Sequence, residues 1–322
     1  MTPPFEITDK IVNLISEVSQ ILGRLDSISK SIPQPKLRKK NRIRTIKSTL
    51  AIEGNTFTEE QITGILDNKK VLGSKKEIIE VKNAINLYES IDLFSSFSVK
   101  SFHKAHFILM KHLIINEGKF RTKNVGIMRG KIVKHVAPKP IMVPELIAKL
   151  FQWIKASKEI HYLIKSCVVH YEIEFIHPFE DGNGGMGRFW QTLILSEHNK
   201  IFRYLPIESI IEKKQNKYYE TLEMSDKLGS STPFIEFMLQ IILDTLKEFD
   251  SETKGIIITT EDRLNKANEY FENHLFSRKD YMEYFKSVST ATASRDLAKG
   301  IELKRLKKIG EKNQAKYKFN KT

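Results

Sequence analysis

Cysteine is almost missing: Cys167 is the single one among 322 residues. One thiol cannot form an internal disulfide, and in the apolar run Tyr162 to Val169 it reads as a core side chain rather than a reactive group. Long hydrophobic runs are missing too. No stretch approaches the roughly twenty apolar residues that span a bilayer, and Glu6 and Asp9 interrupt any basic-then-apolar leader. These absences predict a soluble, cytoplasmic protein with no membrane partner. Repeats of solenoid period and low-complexity tracts are also lacking, which excludes the repeat architectures.

Positive charge is in surplus, at net +14, but only locally. Lys30 to Lys47 holds eight basic and no acidic residues, and Gly255 to Thr322 holds fifteen basic against nine acidic ones, so these two segments carry the whole excess. The neutral middle excludes a surface coated in nucleic acid along its length. Each basic segment reads first as a solvated face.

Apolar residues recur at helical spacing over most of the chain and predict a mainly α protein. Ile11, Leu14, Ile15, Val18, Ile21 and Leu22 mark a first helix, Pro33-Gln34-Pro35 a break, and the basic stretch a second helix. Thr58 with Gln61 forms a capping box for a helix through Ile62, Ile65 and Leu66, which ends at Asn68 to Ser74. Further helices are expected over 76–90, 101–113, 144–156 and 157–175, after Gly187, and on to about Lys247. Val125 to Val136 is the exception: β-branched residues, two glycines and the following Pro138 and Pro140 predict a β-hairpin. A boundary at Ser251 to Ile258 leaves three regions, over 1–75, 76–250 and 255–322.

The informative segment is His177-Pro178-Phe179-Glu180-Asp181-Gly182-Asn183-Gly184-Gly185-Met186-Gly187-Arg188. Four glycines within six residues allow successive backbone N–H groups to turn inward as an anion nest that opens into the next helix N-terminus. An imidazole, a carboxylate and a guanidinium flank it and offer a base, a cation ligand and a phosphate clamp. No Gly-Lys-Ser/Thr follows and no strand precedes, so the nest is neither a Walker A loop nor a dinucleotide fingerprint. The bland alternative is a tight turn in which His177 caps a carbonyl.

This stretch resembles the signature of the Fic family of nucleotidyl transferases, His-x-Phe-x-Asp/Glu-Gly-Asn-Gly-Arg-x-x-Arg, at every fixed position but one. Gly185 stands where the family usually has its first arginine. Glu80 to Ala84, Gly118 to Thr122, Tyr218-Tyr219 and Thr232 to Phe237 extend the similarity over about Pro33 to Leu246. The resemblance implies a helical Fic core with a hairpin flap, and transfer of AMP from ATP to a hydroxyl side chain of a target protein. His177 would be the base and Asp181 the Mg²⁺ ligand. Gly182, Asn183 and Gly184, continued by Gly185, Met186 and Gly187, would cradle the phosphates, and Arg188 would bind the γ-phosphate. Phe179 would be buried to hold the loop, and Tyr219 and Asp226 would line the adenine pocket. Arg121, Lys123 and Arg129 are candidates for the charge that Gly185 lacks.

Ser48-Thr49-Leu50-Ala51-Ile52-Glu53-Gly54-Asn55 likewise resembles the family's inhibitory helix, with Thr49 and Glu53 at its fixed positions. A glutamate against Arg188 would occupy the guanidinium that the γ-phosphate needs; the alternative is a plain helix end capped by Gly54. The same Glu53 could position water for removing AMP. Val288 to Leu297 resembles the second helix of winged-helix regulators, and the tail Gly310 to Phe319 suits a small hairpin. A C-terminal winged helix-turn-helix that contacts DNA or docks a protein is expected, with Lys304 where many such sequences have a turn glycine. His103, His106 and His112 lack ligand spacing for a metal and read as ordinary helix residues. The rival function is a DNA-binding regulator whose core binds nucleotide without transfer, and a homodimer is left open.

Overall fold

The computed structural model of the chain describes residues 2–28, 35–129, 132–254, 259–285, 288–311 and 315–320. Pro33 and Gln34 of the expected break, residues 255–258 of the expected boundary, the flap tip and Ser287 lie outside them. The chain forms two compact units: the first holds residues up to Arg24 and, from residue 35, the chain to Phe249, the second residues 25–28 and the chain from Asp250 on.

In the first unit, α1 (Asp9–Ile28) and α2 (Pro35–Ile52) are followed by α3 (Glu59–Leu66), α4 (Lys75–Glu89) and α5 (Val99–Met110). The capping box at the start of α3 forms: the Thr58 side chain accepts from the Gln61 N–H and the Gln61 side chain accepts from the Thr58 N–H. An antiparallel hairpin of β1 (Gly126–Arg129) and β2 (Ile132–Val136) comes next, its register shifted between Ile127 and Met128. Then follow α6 (Val143–Ala156), α7 (Tyr162–Ile176), α8 (Asn183–His198), α9 (Ile207–Lys213), α10 (Gln215–Leu228) and α11 (Thr232–Lys254).

The core is built around α7 and α8, which pack along each other. Both are apolar on nearly every side, Leu163, Val168, Ile173 and Ile176 on one and Phe189, Trp190, Leu193 and Leu195 on the other, all buried, as befits helices enclosed by other helices. Cys167 lies among them, its thiol pushed up to about 12 by burial. Three boundaries differ from expectation. Helix α7 begins at Tyr162, not Ser157, because His161 caps it through a bond from the Leu163 N–H. Helix α5 stops at Met110, so His112 lies beyond it with φ 64°. Helix α8 begins at Asn183, before rather than after the glycines.

The second unit runs α12 (Thr260–Phe271), β3 (Phe276–Ser277), α13 (Arg278–Tyr284), α14 (Thr290–Glu302), β4 (Leu306–Ile309) and β5 (Lys316–Phe319), with strand order β3-β5-β4. Its own small core gathers Leu264, Ala267, Phe276, Tyr281, Ala293, Leu297, Leu306 and Phe319. Lys304 turns α14 into β4 in the left-handed region, φ 56°, where glycine is the easier residue.

Candidate active site

Helix α7 ends on His177, whose own backbone is left-handed at φ 48°, ψ 61°. A non-glycine residue held there needs support. Arg121 supplies it: its Nε donates to the His177 carbonyl at 2.7 Å, and its terminal nitrogens donate to the carbonyls of Lys123, Pro138 and Ile176 at 2.9, 2.6 and 3.3 Å. Only 2% exposed, Arg121 is spent on backbone and is not the phosphate cation that the flap was expected to lend. Lys123 is exposed, and the side chain of Arg129 lies outside the described residues.

Past His177 the loop is pinned from inside. Phe179 is fully buried and stacks on His106, ring centroids 3.6 Å apart. His106 is therefore no ordinary helix residue. Its Nδ1 accepts the Gly118 N–H at 2.9 Å and its Nε2 donates to the Asp181 carbonyl at 3.0 Å. This pair of bonds requires the neutral ring, and burial lowers its pKa to about 4. Asn183 closes the loop as well, accepting the Phe179 N–H at 2.9 Å and donating to the Phe179 carbonyl at 3.0 Å. Its buried side chain is thus unavailable to a ligand, which leaves its backbone N–H.

The glycines form the first turn of a helix rather than a looped nest. Gly182 alone is left-handed, φ 79°, and acts as the cap of α8. No side chain caps that end, so the N–H groups of Asn183, Gly184 and Gly185 have no helical acceptor and face outward beside the positive end of the dipole. The anion site survives in another form. A Cβ on Gly184 would sit 2.5 Å from Oε1 of Glu53, so that carboxylate lies directly against the first turn of α8. Met186 is buried, and Gly187 lies against His170. Asp181 is exposed, its Oδ1 accepting the Gly182 N–H at 2.7 Å.

Arg188, one turn into α8, is 2% exposed. Its Nε donates to Thr49 Oγ1 at 3.0 Å, and one terminal nitrogen donates to the Thr49 carbonyl at 3.2 Å and to Glu53 Oε1 at 2.6 Å. Burial opposes the charge, and Glu53, together with Tyr218 and Glu174, outweighs it and holds the guanidinium above its ordinary pKa. Glu53 follows the last residue of α2, where Gly54 at φ 91° ends the helix. Helix α2 is held by Asn41 donating to the Tyr204 carbonyl at 2.9 Å, by Ser48 and Ser209 at 3.1 Å, and by the Lys47–Glu212 ion pair. Gln215 fastens the Ile52 carbonyl at 2.9 Å, and Asn55 donates to Glu80 at 2.7 Å.

Glu174 is buried beside Arg188 and accepts from the Tyr218 hydroxyl at 2.9 Å. Tyr219 and Asp226 sit two turns apart on α10. Tyr219 donates to the Ile52 carbonyl at 3.4 Å, near Glu53, while Asp226 accepts from Tyr171 at 2.8 Å. Beside Asp226, burial first and then that carboxylate push Glu172 up to about 7. His177, Asp181, the α8 N-terminus, Arg188 and Glu53 are therefore brought together, with Tyr219 on the Glu53 side.

Residues 96–195 match the Fic/DOC family. The chain is 25% identical over 260 residues to a protein adenylyltransferase Fic of Drosophila yakuba, covering 76% of this chain and 50% of that one. With its counterpart in Drosophila ananassae the identity is 28% over 208 residues, covering 62% and 39%. The chain thus spans half or less of the fly relatives' length. A Fic domain containing signaling protein from Bacteroides thetaiotaomicron shares the fold, with TM-score 0.63 and 17% identity over 76% of this chain and all of that one. The crystal structure of a Fic family protein from Desulfovibrio desulfuricans matches at 36% identity and TM-score 0.76, covering 100% of this chain and 99% of its own. With that likeness end to end, the chain belongs to the Fic family.

Proposed function

We propose that the protein transfers AMP from ATP to a Ser, Thr or Tyr hydroxyl of a target protein and that Glu53 restrains it. The observation that carries this reading is the 2.6 Å contact of Glu53 with Arg188, set one turn from the outward-facing N–H groups of α8. His177 takes the hydroxyl proton as the oxygen attacks the α-phosphorus, the α–β phosphoanhydride bond breaks, and pyrophosphate leaves. The N–H groups of Asn183, Gly184 and Gly185 hold phosphate oxygens, and Arg188 meets the γ-phosphate once Glu53 withdraws. Tyr219 and Asp226 are assigned to the adenine side. The curated relatives' name supports the reaction, and the shared motif supports the residues.

Among the described residues no three His, Cys, Asp or Glu side chains converge as a metal site. Mg²⁺ suits Asp181 even so, because it binds through one or two carboxylates plus substrate phosphates, and Asp181 is an exposed carboxylate beside the phosphate-binding turn. The ion would neutralise charge that builds on the leaving pyrophosphate.

Gly185 favours a second reading. It carries no side chain where the family usually has a cation, a Cβ there would meet Leu109 at 3.0 Å, and Arg121 is engaged elsewhere. A core that binds nucleotide without transfer, joined to a DNA-binding winged helix, follows from this. The helix, strand, helix, helix and hairpin order of the second unit supports that assignment. Labelled ATP separates the readings. Transfer to a protein acceptor or to the chain itself should rise in Glu53→Gly and vanish in Glu53→Gly/His177→Ala. A folded Glu53→Gly protein that binds ATP but transfers nothing would favour the nucleotide-binding regulator.

A further inference from the structure

Arg188 carries its charge where water barely reaches, and its supports come from two sides. The three bonds described above all end on Thr49 and Glu53, at the end of α2. On another side stands α7, which packs along α8 and brings Glu174 to the same guanidinium. Gly184 marks the meeting place: a Cβ there would lie 3.1 Å from Arg188 Nη1 and 3.2 Å from Glu174 Oε1. Guanidinium and carboxylate thus border the first turn of α8 together.

Glu174 is itself held. Buried in α7, it accepts from the Tyr218 hydroxyl of α10 at 2.9 Å, and His170 Nε2 lies 3.1 Å from the same hydroxyl. His170 is fixed in turn by Gln191 of α8, Nδ1 to Oε1 at 2.8 Å. Burial keeps the His170 ring neutral, its pKa lowered to about 3, so it does not compete with Arg188 for the carboxylate. Every member of this chain belongs to α7, α8 or α10, and none to α2.

When Glu53 withdraws, the guanidinium stays buried and loses a counter-charge, which is costly for a buried cation and leaves it free to turn away. Glu174 does not depend on α2. We infer that Glu174 is the positioning residue of the γ-phosphate clamp: it keeps Arg188 aimed along the first turn of α8 in the released protein, and so sets a preference for a nucleoside triphosphate over a diphosphate. The inference rests on the reading that Arg188 meets the γ-phosphate, and not on AMP transfer. A diphosphate reaches the N–H groups of α8 without the arginine, so only the triphosphate feels the loss of Glu174.

Isothermal titration calorimetry of the full chain with ATP and with ADP tests it, in a Glu53→Gly/His177→Ala background that frees the pocket and leaves ATP uncleaved. Glu174→Gln keeps the shape and an oxygen for Tyr218 but loses the charge. It should weaken ATP about 10-fold, the lower end of what a charge-assisted bond carries, and leave ADP unchanged. Arg188→Ala should remove the preference for ATP over ADP. Tyr218→Phe, which keeps the charge and loosens its hold, should give a smaller loss of ATP alone, and it keeps the test decisive if a thermal melt finds Glu174→Gln unfolded. Equal weakening of ATP and ADP would make Glu174 merely structural, and ATP bound as well or better in Glu174→Gln would make it a group that only repels phosphate; either result overturns the inference. An Arg188→Ala protein that retains the preference, or a background protein that binds no ATP, would remove the γ-phosphate assignment itself, and the inference would fall with it.

Discussion

Helix α2 and the β4–β5 hairpin are both basic, and in the sequence both look like solvated faces. Folding separates them. On α2, Lys39 pairs with Asp67 at 2.7 Å, Arg42 with Glu89 at 2.7 Å, Arg44 with Glu248 at 3.6 Å, and Lys47 with Glu212. These acids come from the C-cap of α3 and from α4, α9 and α11, so the charge run is a fastener that fixes the helix whose end bears Glu53. On the hairpin, Lys307, Lys316 and Lys318 make no ion pair among the described residues. A count of lysines does not distinguish a clamp from a docking face; the positions of the acids do.

If the clamp exists to hold the brake at the pocket, the largest effect appears when the pocket itself is disabled. In a Glu53→Gly background, His177→Ala should lower labelled AMP transfer by about 10²- to 10⁴-fold, the usual worth of a positioned base, with an unchanged thermal melt. Equal transfer in the two proteins would detach His177 from the chemistry.

Acid should act next, and on the first unit. His106 is neutral when folded, with its pKa lowered to about 4, and ionises near its ordinary value of about 6.5 when unfolded. The unfolded chain therefore takes up the proton first. The stability that depends on the neutral ring is complete above about pH 6.5 and is lost as pH falls towards 4, on the order of 3 kcal/mol. Protonation also removes the Nδ1 acceptor of the Gly118 N–H. Chemical denaturation of wild type and His106→Gln across this range should show a shallower pH dependence in the variant; parallel curves would remove His106 from the linkage.

Releasing the brake should raise transfer in Glu53→Gly by about 10- to 100-fold, the equivalent of the 1.5–3 kcal/mol that a charge-assisted bond carries. Stability should fall only by about 1 kcal/mol, because the carboxylate is half-exposed and water screens it. The hairpin variant Lys307→Gln/Lys316→Gln/Lys318→Gln should leave transfer unaltered, and a change there would blur the division between clamp and face. The smallest effect concerns the charges themselves. Glu212→Gln should destabilise by about 0.5–1 kcal/mol, since it strands Lys47. Lys307→Gln should be neutral or stabilise by a few tenths, since it relieves a like-charged pair. Equal costs in thermal melts would show the two regions to be alike.

Much of the candidate segment was legible because groups of matching chemistry cluster there: His177, Asp181 and Arg188 lie within one short stretch whose order carries the family signature. Helix periods and the Thr58 capping box were readable for the same reason, since they depend on neighbours a few residues away. Arg121 and His106 were not. Arg121 looked like a spare cation near the pocket, yet it donates only to carbonyls, and His106 became a loop support only because Phe179 and Asp181 arrive against it from 73 or more positions away. Asn183 looked like a phosphate ligand by its place in the motif, and its amide turned inward because the Phe179 backbone needed a partner.

The sequence by itself determined the helical class, the hairpin position, the order of motif residues, and the proximity in chain of Thr49 to Glu53 and of His177 to Arg188. These rest on local preference and on fixed spacing, which a linear string records. The tertiary structure alone decided that Glu53 meets Arg188 across 135 positions, that the glycines are a helical first turn instead of a loop, and which basic segment is paired with acids. A buried guanidinium must find acceptors wherever folding brings them. Only the packing of α2 against α8 and α9 places Thr49 and Glu53 within its reach.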